Sequence, residues 1–444
     1  MNRRWWRGGA LAASAAALLL TACLPKGVRV PQNEFLAVVE RKSGLVAYQG
    51  ADGNIYTVDQ GGSKPTPVTT DADLKGDYLV YDIPVWAPDS RSVAFVGYQG
   101  KAQQAPDSIS LFVADKDGKN LTQAYSSTTD VIYYYWSPDS RRLSFISPAP
   151  GSNLALKVVS PSGGEAETLD VGNPFYWAWA PNSQSVLIHA GAAPSRLSIL
   201  QIADTVVEQG LEITPTTFKA PAYSPEGSRM LVAGETADGK PALLLADAAG
   251  GHLRPVAEYT GNIAFAWSPD GKRIAYIASD HPKVGQEGKL TIVDPAGKQK
   301  PVELKDDLAQ AFFWSPDSAW LAYFSTEIVA APTPESSGDS ASGDQTVRWH
   351  LNVMDTKSGD ARPVTTLQPT ESFLRVLPYF DQYHQSVTIW SPDSRNLVLS
   401  AYVVNGQADM VNGAPVPGIW VVAASGNLEA RFIAPGLVGF WSWK

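Results

Sequence analysis

Short apolar runs alternate along this chain with clusters of Gly, Pro, Asp and Ser. The runs are about four to six residues long and rich in Val, Ile, Leu and aromatic side chains, which is the pattern of strands bounded by turns. The order is clearest between residues 261 and 305. Ile263-Ala264-Phe265-Ala266-Trp267 reads as a first strand and Ser268-Pro269-Asp270-Gly271 as a turn. Proline presets φ at the first central position of such a turn, and the Asp side chain can hold nearby backbone N–H groups. Arg273 to Ile277, Lys289 to Val293 and Pro301 to Leu304 read as the next three strands, with Asp294-Pro295-Ala296-Gly297 as the turn between the last two.

The first strand and its turn recur. Trp-Ser-Pro-Asp-Ser stands at 136–140, 314–318 and 390–394, and looser copies begin at Trp86, Trp179, Tyr223 and Trp267. A truncated eighth, Trp441-Ser442-Trp443, ends the chain. The copies lie about 43 to 51 residues apart, except for one interval of about 76 between Trp314 and Trp390, a period that matches four-stranded propeller blades. The predicted fold is all-β: a single propeller of eight four-stranded blades, or seven if one divergent repeat is not a blade. The weakest repeat is the fourth, where His189–Leu211 departs from the usual third strand. The segment Gly44 to Tyr48 has no motif before it, and Leu437 to Trp441 has no second strand after it. The C-terminal strand is therefore expected to supply the first strand of the first blade and so remove an open sheet edge. The aromatics at 86, 136, 179, 223, 267, 314, 390 and 441 are expected to wedge between blades, and the motif Asp to form the turn rather than act as an acid.

These repeats resemble the TolB-like (PD40, WD40-like) β-propeller family over nearly all of residues 43–444. The resemblance implies an interaction platform. In that family the propeller occurs alone, behind other binding domains, or in front of a hydrolase domain in prolyl-oligopeptidase-type enzymes. This chain shows neither the N-terminal α/β domain of TolB nor a hydrolase domain, so neither role is carried over.

The N-terminus changes the picture of where the protein works. Arg3, Arg4 and Arg7 precede an apolar stretch from Ala10 to Leu20, too short to span a membrane comfortably. Leu20-Thr21-Ala22-Cys23 then matches a lipobox, and Cys23 is the chain's single cysteine. Residues 1–22 are expected to be a lipoprotein signal peptide, 23–42 a lipidated tether and 43–444 the propeller. The expected location is the bacterial cell envelope, outside the cytoplasm, with the membrane reached through the lipid on Cys23. The formal charge is −9 over 444 residues, near −12 without the leader arginines, and no basic patch offsets it, so nucleic acid is not an expected partner.

No catalytic motif emerges. Gly338-Asp339-Ser340-Ala341-Ser342 is the nearest approach to a nucleophile elbow, but its fifth residue is wrong. His189, His252, His281, His350 and His384 show no metal-binding spacing, and one cysteine cannot build a thiolate zinc site. No cofactor or metal is expected. Asp71, Asp73, Asp77 and Asp82 lack the spacing of a calcium loop and read as a solvated loop.

The informative features are three insertions, at about 326–346, 369–385 and 405–417, all on connections expected to emerge from one face. Long loops in compact domains are usually functional or disordered. The first is Ser/Gly/Asp-rich. The second carries Tyr379, Phe380, Asp381, Tyr383 and His384, the candidate binding residues, with local packing as the alternative reading. Tyr133 to Tyr135, Phe175 to Trp177 and Phe312-Phe313 are expected to pack between blades. The expected function is non-catalytic binding of an envelope protein, peptide or glycan; the rival is an enzyme acting on glycans or peptides in the central channel.

Overall fold

The computed structural model describes residues 42–191, 195–281, 287–305, 307–330 and 345–444. Cys23, most of the tether and most of the Ser/Gly/Asp-rich insertion lie outside them. The described chain is built almost wholly of antiparallel strands, gathered into five separate four-stranded sheets, a two-stranded hairpin and one continuous ten-stranded sheet. It has β-propeller architecture.

Each four-stranded sheet carries one motif. The Trp86 sheet runs Asp77–Trp86, Ser92–Lys101, Ser108–Asp115 and Thr122–Ser127 in simple order. Sheets named for Trp136, Trp179, Tyr223 and Trp267 repeat this up-and-down path. The fourth repeat is regular after all: Arg196–Ile202 and Val206–Gly210 complete the Trp179 sheet. Leu197, Ile199 and Leu200 are buried there, so the core specifies the strand although its turn is atypical.

The ten-stranded sheet joins what the repeat pattern separates. Arg431–Trp441 pairs through its first half with Gly418–Ala423 and through its second half with Val46–Gly50. Ala361–Pro369 likewise pairs with Gln345–Asp355, and its last residues then pair with the far half of Asn396–Val404. At Trp390 the expected first strand shrinks to one bridge, Trp390 to Leu397, because Leu367 to Pro369 occupy the rest of that edge. Trp320–Ala330 and Gln345–Asp355 pair to their ends, Ala330 against Gln345. Residues 326–330 and 345–346, expected in a loop, therefore extend a two-stranded ribbon, as the β-branched run Ile328-Val329 and Thr346-Val347 favours.

The motif turn has the same geometry in every full copy. Ser137 Oγ donates to Asp139 Oδ1 at 2.6 Å and accepts from the Arg142 N–H at 3.0 Å. Ser268 with Asp270, Ser315 with Asp317 and Ser391 with Asp393 do the same. The Asp is thus consumed in holding the turn. The fifth residue adopts a left-handed φ near +60°, as in Ser140 and Ser318. That conformation costs a non-glycine residue about 1–2 kcal/mol, and the serine has a compensating use. Its hydroxyl accepts from the Asp N–H of the preceding motif: Asp89 to Ser140, Asp139 to Ser183, Asp270 to Ser318 and Asp317 to Ser394, at 3.0–3.2 Å. Gly227 and Gly271 fill this position in the Tyr223 and Trp267 motifs and carry no hydroxyl, so these links are missing on either side of Tyr223.

Between the chain ends the same turn is made from two pieces. Ser442 N–H donates to Leu45 O at 2.8 Å, and Ser442 Oγ accepts from Leu45 N–H at 3.0 Å. A Cβ on Gly44 would lie 2.7 Å from Ser442 Oγ and 2.8 Å from Pro392, so a larger residue could not close this junction without displacing it.

Candidate functional site

The longest motif interval contains a compact helical insertion. Thr370 caps its first turn, accepting from Phe373 N–H at 3.3 Å and donating to Leu437 O at 2.5 Å. A short helix at Glu371–Leu374, a 3₁₀ turn at Leu377–Tyr379 and another helical turn at Phe380–Tyr383 follow. Helices this short need tertiary support, and here it comes from the first strands of the surrounding sheets. Arg375 pairs with Asp82 at 2.8 Å. Tyr133 OH donates to Gln382 O at 3.0 Å and its ring meets Tyr383 edge-on at 4.9 Å. Gln382 Nε2 donates to Trp177 O at 3.1 Å, and Gln385 Nε2 to Pro221 O at 3.3 Å. Phe380 packs on Phe312 and Phe313, and Phe373 on Phe324. A segment touching the first strands of so many sheets lies where those strands converge, at the axis. The insertion is a plug.

This placement differs from an exposed aromatic surface. Tyr379 is exposed at 44%, but Phe380 and Asp381 are 2% and 3% exposed, and Tyr383 and His384 are partly buried. The five candidate residues come together, yet four of them face protein. The polar and aromatic pattern that suggested a surface is the lining of a channel filled from within. The runs at Tyr133 to Tyr135, Phe175 to Trp177 and Phe312-Phe313 pack against or beside this plug. The acids do not cluster: Asp82 meets Arg375, and Asp71 accepts from Tyr81 OH.

Two polar features lie along the plug. Lys219 Nζ stands 3.7 Å from Asp381 Oδ2, with both side chains almost completely buried. His189, also buried, places Nδ1 3.0 Å from Lys219 O, while its Nε2 has no partner among the described protein atoms. Burial pushes His189 down to about 4, since charging it would strand a cation among Phe218 and the apolar strand. Burial lowers His384 as well and raises Tyr383 to about 12.

Beneath the plug, on the face of the motif turns, the axis opens into a blind cup of about 320 Å³. Its walls are Tyr135, Trp136, Trp179, Tyr223 and Trp267, with Pro88, Pro138 and Ala222 between them and Trp443 entering from the chain end. His384 and Gln385, the last residues of the plug, complete the lining. Gln385 Oε1 accepts from Tyr135 OH at 3.1 Å, and His384 Nδ1 is buried without a partner. Most motif indoles are spent on the ring itself. Trp86, Trp136 and Trp390 donate Nε1–H to Phe440 O, Val85 O and Phe313 O, and Trp179 to Ser144 Oγ. The Nε1–H groups of Trp267, Trp314 and Trp441 find no acceptor among the described residues. Arg142 and Arg229 stack on Trp179 and Trp267, 5.1 and 4.8 Å from the ring centroids. The cup was missed in the sequence because the motif tryptophans read as inter-blade wedges. The available signal was Tyr223 and the two motif glycines, which mark where the serine links between turns are absent.

No carboxylate lines the cup. Among the described residues no group of three or more His, Cys, Asp or Glu gathers to hold a metal, and no helix is long and apolar enough to cross a membrane. Fold and site together define a β-propeller with a plugged axis and an aromatic cup on the turn face. The profile of the TolB beta propeller domain (PD40) matches residues 90–327, and the chain belongs to that family. It is 25% identical over 228 residues to the uncharacterized peptidase YuxL of Bacillus subtilis, a match covering 49% of this chain and 31% of that protein. The chain thus spans about a third of the length of this curated relative. Among solved structures, the dihydro-heme d1 dehydrogenase NirN in complex with DHE aligns with a TM-score of 0.52 at 13% identity, covering 95% of this chain and 78% of that one. TolB from Acinetobacter baumannii aligns with a TM-score of 0.36 at 16% identity, covering 66% and 68%. These likenesses concern the fold.

Proposed function

We propose that this protein is a lipid-anchored, extracytoplasmic propeller that binds a ligand in its aromatic cup and does not transform it. One observation carries the reading: the plug fills the axis from one face and leaves, on the other, a concave aromatic pocket with no carboxylate, metal cluster or nucleophile in its lining. Small-ligand sites are typically such pockets, of about 300–1,000 Å³, apolar with a few polar groups. The reading includes eight blades, the first and last sharing the strand Arg431–Trp441; its pairing with both Gly418–Ala423 and Val46–Gly50 supports this. The anchor is Cys23, and the partner class is an envelope protein, peptide or glycan. The peptidase name borne by the relative favours the rival reading of an enzyme, but only a third of that protein is matched.

The test is ligand-dependent thermal stabilisation of the purified full-length chain against panels of envelope-type peptides and glycans, with product analysis in parallel. A ligand that binds only the native state raises its stability by about 2.7 kcal/mol at a hundredfold excess over Kd. Stabilisation without product formation is the expected result. Cleavage of a panel member would make the protein an enzyme.

A further inference from the structure

We propose that the cup receives an uncharged pyranose residue of a glycan chain, an inference that rests on the binding role assigned above. The walls are built from indole and phenol rings, apolar groups of the kind that fit the C–H face of a sugar ring. Tyrosine and tryptophan also bring polar edges to such contacts. Trp179 and Trp267 stand on adjoining walls around Tyr223.

Charge narrows the class. Arg142 and Arg229, which stack on Trp179 and Trp267, lie outside the cup lining. The lining has neither a carboxylate to balance a cation nor a lysine or arginine to hold an anion. A neutral ligand with hydroxyl groups fits what remains. Gln385 uses one amide hydrogen on Pro221 O and one acceptor position on Tyr135 OH, which leaves a donor and a lone pair. Burial keeps His384 uncharged near neutral pH. The cup also lies beside the two motif turns, at Gly227 and Gly271, that carry glycine in place of the linking serine.

The experiment titrates full-length protein, held in a polyoxyethylene detergent that contains no sugar, with chitotetraose, cellotetraose and maltotetraose. A proline-rich peptide is titrated alongside. Intrinsic tryptophan fluorescence and calorimetry report binding. At least one tetrasaccharide is expected to bind saturably, and Trp443→Ala and Gln385→Ala are expected to weaken it about ten-fold or more, a loss near 1.4 kcal/mol. Both residues avoid the buried wedge positions, and near-ultraviolet circular dichroism checks that each variant keeps its fold. Failure of all three sugars overturns the inference, as does binding that neither variant changes. Peptide binding in the cup without sugar binding would end this inference and leave the binding role standing. Cleavage of a tetrasaccharide would end both.

Discussion

Lys219 and Asp381 meet at 3.7 Å with side chains 4% and 3% exposed, joining the approach to the Tyr223 sheet to the axial plug. Asp381 Oδ2 has no hydrogen bond among the described protein atoms, so the ammonium is its main compensation. Removing one member of a buried pair strands the other and costs about 3–5 kcal/mol, whereas replacing both with apolar groups can be nearly neutral. Asp381→Ala should therefore lower the urea midpoint sharply. The double variant Lys219→Met with Asp381→Leu should recover most of the loss. A double variant no better than the single one would show that the pair does not hold the plug.

Ser140 combines a left-handed backbone with an acceptor for Asp89 N–H. Ser140→Gly relieves the backbone but loses the acceptor; Ser140→Ala loses the acceptor and keeps the strain. The alanine variant should be the less stable of the two by about 1 kcal/mol. Thermal melts of both proteins compare them directly, and equal melting temperatures would remove the backbone argument.

His189 makes stability depend on pH. Its folded value, near 4, lies below the unfolded value of about 6.5. The unfolded chain therefore binds the proton first as pH falls. The contribution is intact above about pH 6.5 and is lost as pH drops toward 4, by roughly 3 kcal/mol if this group acts alone. His189→Gln should flatten the difference in melting temperature between pH 7 and pH 4.5. An unchanged slope would place the titration elsewhere.

Cys23 carries the proposed anchor. Cys23→Ser should move the protein from the membrane fraction to the soluble extracytoplasmic fraction, because dual acylation is what makes attachment stable. Retention of the variant in the membrane, resistant to high salt, would exclude the lipid as the tether.

Much of the fold was legible because each blade is specified locally. Trp314 to Trp320 encodes a strand end, a turn and the hydrogen bonds that hold the turn, all within seven residues. Even the divergent Arg196–Ile202 strand keeps a continuous buried run from Leu197 to Leu200. The candidate site was less legible. Phe380, Asp381 and His384 were found as a group, but not which way they face. An aromatic loop and an aromatic plug have the same composition, and only Phe312, Tyr133 and Lys219, distant in sequence, decide between them.

By itself the sequence determined the repeat, the strand order and the chemistry of the turn, since these depend on neighbours within a few residues. It also placed the insertion at 369–385, within the one long motif interval. The tertiary structure decided that this insertion folds inward, that Trp136, Trp179 and Trp267 present surface to a cup as well as to their neighbours, and that Ser442 completes a turn with Leu45. Those outcomes depend on where the first strands converge. Convergence belongs to the assembled ring, and no window of sequence shorter than that ring contains it.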